Sequence, residues 1–207
     1  MTKDAGVLVA KIEELIRKNV VVEVYRDRIA REALVGRLLQ YSPTVLVMEK
    51  LDDLYRYDGV VAVRPADITR LRLGGTELKM GTNVASPRRR KGAVLPKVAL
   101  LEISSAITLM NKKFGHVALF VEGIDDDVCF IGEEIAVDDD FVLIREYGTL
   151  RSMDRSELLV RLDEVTRVDA DGQYERQLVG LFSKTGSGER GAARRSAHQR
   201  GRAKKTM

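Results

Sequence analysis

The sequence predicts a mainly β protein with short helices, organised as a tandem pair of small five-stranded β-barrels, each opened by an α-helix. Three observations predict this. Apolar-rich runs separated by Gly, Pro, Asp or Arg clusters occur in two sets of five. A shift of 96 or 97 residues superimposes the sets and places Gly132 on Gly36. Each set also follows a segment with apolar residues at helical spacing.

In chain order, the first helix runs through Leu8, Ile12, Leu15 and Ile16, which share one face at that spacing. Strands are expected over residues 20–25, 33–41, 44–48, 60–64 and 68–73. The second helix carries Leu100, Ile103, Ile107 and Met110, and strands over 116–121, 129–137, 141–144, 157–161 and 165–168 follow it. Residues 174–182 read as a short closing helix whose apolar face is Leu178, Leu181 and Phe182. The domains are therefore 1–73, helix plus first barrel, and 97–183, helix plus second barrel and closing helix. Between them, residues 74–96 contain Gly74, Gly75, Gly81, Pro87 and Pro96 and read as a basic, flexible linker. Residues 184–207, rich in Gly, Ser, Ala and Arg without apolar periodicity, read as a disordered basic tail.

Charge is distributed unevenly along a chain of net charge +4. Residues 1–92 hold 18 basic against 12 acidic side chains, whereas residues 115–170 hold 5 against 15. The tail from 184 onward carries +7. Two electrically opposite halves bear on partners and on how the halves meet. The single cysteine, Cys129, excludes an intrachain disulfide and a cysteine-based metal site, and suits a reducing cytoplasm. With only His116 and His198, little imidazole is available for a zinc site or a catalytic triad. No apolar run approaches the roughly 20 residues of a membrane span, and neither a signal peptide nor membrane attachment is expected.

The helix followed by five short strands resembles the Sm-like fold, the small barrel of Sm, LSm and Hfq proteins, itself one of the SH3-like barrels. The first family motif is matched by Gly36, Leu38, Tyr41 and Val45, with Ser42 at the usual Asp position. In the second copy Gly132, Val137, Asp138 and Phe141 match, with Glu134 at an aliphatic position. Val63-Arg64 and Val160-Arg161 resemble the second motif, whose glycine is replaced by Pro65 and Leu162. The resemblance implies barrels that join through exposed strand edges, so that two per chain make a trimer a pseudo-hexameric ring. It also implies a base-binding pocket, but Leu46 and Val142 stand where the family usually has Asn, so no intact pocket carries over.

Candidate contacts for nucleic acid are Arg88, Arg89, Arg90 and Lys91 in the linker and Arg194, Arg195, Arg200, Arg202, Lys204 and Lys205 in the tail. Such cations release counterions when they pair with phosphates. Tyr55, Arg56 and Tyr57 form a loop suited to stacking on bases while holding a phosphate, or else line the barrel rim. Arg64 and Arg161 occupy equivalent positions, suited either to RNA at the mouth of a ring or to pairing with Asp67 and with Asp163 or Glu164. The runs Asp125–Asp127 and Asp138–Asp140 lack calcium-loop spacing and read as turns. Cys129, between apolar neighbours, reads as a structural thiol. No phosphate loop, nucleophile elbow or metalloprotease motif is present, and neither a cofactor nor a metal is expected.

These features point to a non-enzymatic protein that binds RNA or DNA, or a ribonucleoprotein, through basic segments on an Sm-like scaffold. The alternative is an assembly module that forms a ring or edge-paired oligomer without nucleic acid. A third arrangement docks the positive first barrel on the negative second to close a monomer.

Overall fold

A computed structural model describes residues 6–85, 102–148 and 154–182. Helix α1 spans Val7–Lys18, with Ile12 and Leu15 buried and Arg17 and Lys18 in the last turn complementing the helix dipole. Asn19 ends it in the left-handed conformation that Asn tolerates, its N–H returning to the Leu15 and Ile16 carbonyls. Five strands follow: β1 (Val21–Tyr25), β2 (Leu34–Tyr41), β3 (Leu46–Leu51), β4 (Tyr57–Val63) and β5 (Arg70–Leu73). After helix α2 (Gly75–Val84), the pattern restarts with α3 (Ile103–Phe114), capped by Gly115 at φ 78°. Strands β6 (Val117–Phe120), β7 (Cys129–Val137), β8 (Phe141–Glu146), β9 (Glu157–Arg161) and β10 (Arg167–Ala170) complete it, and helix α4 covers residues 173–182. A single 3-10 turn precedes β5 and another precedes β10, at Pro65–Asp67 and Leu162–Glu164.

All ten strands belong to one antiparallel sheet ordered β5-β1-β2-β3-β4-β10-β6-β7-β8-β9. The first unit and the second thus have the same internal order, and their registers agree in detail. Gly36 opposes Lys50 in β3, and Gly132 opposes Glu146 in β8. A bulge falls between Leu38 and Gln40 in one and between Glu134 and Ala136 in the other. Such a bulge bends its strand and increases its twist. The glycines permit the close crossing there, since a Cβ on Gly36 would lie 1.8 Å from the Glu49 carbonyl oxygen and one on Gly132 2.6 Å from that of Arg145.

Two expectations are corrected. Two closed five-stranded barrels are not what forms: β4 pairs with β10, and the sheet runs on through both units and, among the described residues, stays open at its ends. The reason lies in β4, whose Val60, Val61, Ala62 and Val63 are all buried, giving it two apolar faces. Because side chains alternate, Val61 and Val63 enter a core with Ile12, Leu15, Val24 and Met48, whereas Val60 and Ala62 enter one with Ile107, Met110, Leu119 and Val168. The second core is therefore shared between the units.

The segment read as a linker also begins with structure. Helix α2 seats Leu78, 1 % exposed, against Val21 and Leu51. Thr82 Oγ1 accepts the Val21 N–H at 3.0 Å, and its carbonyl accepts from Arg37 at 3.1 Å. Gly81 leaves room for the Tyr55 ring, which a Cβ would approach to 2.3 Å. Among the described residues no helix is long and apolar enough to cross a membrane.

Candidate functional site: the sheet junction and its open edges

The junction registers Arg167 with Val63, Val168 with Ala62, Asp169 with Val61 and Ala170 with Val60. At one end Arg64 donates across it to the Leu162 carbonyl at 2.6 Å and to the Val165 carbonyl. This guanidinium thus clamps the backbone of the other unit, in place of the expected pair with Asp67. At the other end the Tyr57 hydroxyl donates to Asp171 at 2.9 Å, and the Gln173 N–H donates to Asp58 at 3.0 Å.

Beside the strands lies a buried ionic lock. Arg26, 1 % exposed, meets Glu122 in a fork at 2.5 and 2.8 Å. Arg167 reaches the same carboxylate at 3.0 Å, and the Thr166 hydroxyl donates to it at 2.8 Å. Burial by itself would push the Glu122 carboxyl up, but Arg26, Arg167 and Thr166 together outweigh it and hold the carboxyl below its ordinary range. Lys50 stands 3.4 Å from both Asp169 and Asp58. Its burial favours the neutral amine, yet Asp169 and Asp58 keep the ammonium above its usual pKa. Basic groups of the first unit, Arg26, Lys50 and Arg64, thus meet acids and carbonyls of the second.

The outer edges of β5 and β9 pair with no other strand among the described residues. At the β5 edge the lock has an exposed counterpart without an Arg26. Thr69 donates to Asp27 at 2.5 Å, and Arg70 grips it at 2.8 Å twice while lying 3.8 Å over the Tyr25 ring. In the second unit Arg167 lies 3.5 Å over Phe120 in the same way. The two hydrogen bonds from Arg70 and that from Thr69 hold the Asp27 carboxyl down to about 2. At the β9 edge, Arg161 is exposed, 3.9 Å from Asp163 as anticipated.

A cavity of about 530 Å³ opens beside β5, floored by Leu15, Val21 and Leu78 and rimmed by Lys11, Lys18 and Lys79. Another of about 300 Å³ lies at the turn end of the junction, between Pro43, Arg64, Pro65, Ser104 and Asp139.

Tyr55, Arg56 and Tyr57 do not present a common platform. Tyr55, at φ 57°, packs under α2, Arg56 pairs with Asp52 at 2.7 Å, and Tyr57 points into the junction. Burial and the bond to Asp171 push the Tyr57 hydroxyl well above its ordinary pKa. Arg88, Arg89, Arg90, Lys91, Arg194, Arg195, Arg200, Arg202, Lys204 and Lys205 lie outside the described residues. The acidic runs form turns, with Asp125 accepting from the Asp127 N–H and Asp138 from those of Asp140 and Phe141. His116 is buried, its Nδ1 3.0 Å from the Phe114 carbonyl and its Nε2 accepting from the Asp171 N–H, and burial lowers its pKa. Burial pushes the half-buried Cys129 thiol up to about 11, far from a reactive thiolate.

Sequence reasoning missed the Arg26–Glu122 lock, because nothing in the pattern of a turn marks its charges as buried. It also missed the junction, although the unbroken Val60–Val63 run is the signal of a strand buried on both faces. Compared with known proteins, the chain matches no family model, no curated protein and no solved structure.

Proposed function

We propose that this chain is a non-enzymatic assembly module of two Sm-like units, each a strongly bent five-stranded barrel-like sheet, which works in the cytoplasm by joining sheet edges between copies. The observation that carries the reading is the junction itself: one pair of units is joined strand to strand, and the same two kinds of edge, β5 and β9, stand unpaired at the ends among the described residues. An open edge is a row of unpaired N–H and C=O groups that invites another strand. Resemblance to Sm-like rings adds that six units, hence three chains, close the circle.

Sedimentation of the full chain across micromolar concentrations tests this. The expected mass is a multiple of 23.1 kDa, three chains for the closed ring. A lone 23.1 kDa species at every concentration ends the reading.

A second role, RNA or ribonucleoprotein contact, is supported by the +7 tail and the Arg88–Lys91 run. Binding is expected at low salt, weakening steeply as salt rises. Removal of residues 184–207 is expected to abolish most of it. Binding that ignores salt, or none at low salt, contradicts this role.

A further inference from the structure

We propose that the cavity between α1 and α2 binds a single-chain anionic amphiphile, an aliphatic tail ending in a carboxylate, with the tail on the Val21 and Leu78 floor and the head at Lys11, Lys18 and Lys79. This ligand site goes beyond the assembly and RNA readings and depends on neither.

The fold leaves the opening where β1 begins and β5 ends. Side chains alternate along β1, so Val22 packs with Ile12 and Leu15 of α1 on one face while Val21 packs with Leu78 of α2 on the other. The two helices thus flank the same end of the sheet from opposite sides. A space of about 530 Å³ remains between them, walled by Val22 and by Leu73, its partner in β5. Ligand sites typically span about 300–1,000 Å³.

The walls select the tail. Leu15, Val20, Val21, Val22, Leu73 and Leu78 are all aliphatic, and among the described residues no aromatic ring borders the space. Nothing there stacks on a base or a ring, whereas every methylene laid on the floor leaves water. The Thr82 hydroxyl is already satisfied, accepting the Val21 N–H at 3.0 Å and donating to the Leu78 carbonyl at 2.8 Å. An aliphatic tail over it therefore leaves no polar group unpaired.

The rim selects the head. Lys11, Lys18 and Lys79 face a single acid, Glu14, so the rim is cationic. Glu14 accepts from Lys11 at 2.9 Å and from Lys18 at 2.5 Å, and these bonds hold its carboxyl down to about 2. The rim thus already holds one carboxylate between two ammonium groups. Each ammonium has further N–H donors to offer a second one. The remainder of the chain is a poor occupant, since residues 86–101 carry five basic and no acidic side chains and residues 183–207 carry eight against one. The lysine rim repels both segments.

Isothermal titration of the full chain with decanoate, at neutral pH and below its micellar range, tests the site, with decylammonium as the cationic control. One decanoate per chain is expected, and decylammonium is expected to bind about tenfold more weakly or less. Lys79→Glu is expected to weaken decanoate about three- to tenfold, the scale of reversing an exposed charge contact. Glu14→Gln is expected to tighten it, because the resident carboxylate no longer competes for Lys11 and Lys18. Leu73→Asp, at a wall position 37 % exposed, is expected to abolish binding, and circular dichroism checks that each variant folds. Equal affinity for decanoate and decylammonium overturns the anionic class. Decanoate binding indifferent to both Lys79→Glu and Leu73→Asp places the ligand elsewhere and overturns the site, as does the absence of binding at millimolar decanoate.

Discussion

Replacing Glu122 by alanine is expected to destabilise the fold by about 3–5 kcal/mol, the cost of breaking a buried ion pair by removing one partner. Arg26 and Arg167 would be left facing one another with no carboxylate between them, and Arg26 has no route to water. Asp27→Ala, at the exposed copy of the same motif, is expected to leave stability nearly unchanged, since exposed pairs contribute little. Urea unfolding of both variants checks the contrast. Acid should act in the same direction. The Glu122 carboxyl is held below its ordinary value of 4.5, so its contribution is fully present above about that pH and is lost as pH falls through the folded-state value. The pH dependence of unfolding on the acid side is accordingly expected to flatten in Glu122→Ala.

The other large effect belongs to Gly36. An alanine Cβ there would stand 1.8 Å from a backbone oxygen of the paired strand, so no side-chain rotation relieves it and β2 must separate from β3. Gly36→Ala is expected to cost about 3 kcal/mol or more, at or beyond the upper end of ordinary overpacking. Gly132→Ala, with 2.6 Å to the Arg145 oxygen, should cost less. Chemical unfolding of the two variants should preserve that order. Equal and small losses would mean that the strands do not cross so closely.

Much of the architecture was legible because strands advertise themselves by period and by their turns. The two five-strand sets, their order and the recurring glycine all emerge from residue spacing, and Gly36 and Gly132 turn out to mark the same crossing. Helix α2 was not legible: Gly74, Gly75 and Gly81 resemble linker residues, and one buried side chain, Leu78, anchors most of its apolar contact. The repeat held the missing clue, since shifting residues 75–84 by 97 reaches the closing helix that was legible. The junction was hidden for a different reason. Whether a strand edge is capped or continued depends on long-range pairing, which local pattern reports only through the apolar run of β4. Charge asymmetry did foreshadow it, because Arg26, Lys50, Glu122 and Asp169 carry that asymmetry into the contact. The Tyr-Arg-Tyr loop looked like a stacking surface in sequence because composition cannot tell an exposed ring from one packed under a helix.

Hydrogen–deuterium exchange of the full chain at two concentrations tests the central claim most directly. Amides of β4 and β10 are expected to stay protected in dilute and concentrated solution alike, because their pairing lies within one chain. Amides of residues 70–73 and 157–161 are expected to gain protection together as concentration rises, because the proposed assembly pairs their outer edges with other copies. Fast exchange at β4 and β10, or edge exchange indifferent to concentration, would contradict the account.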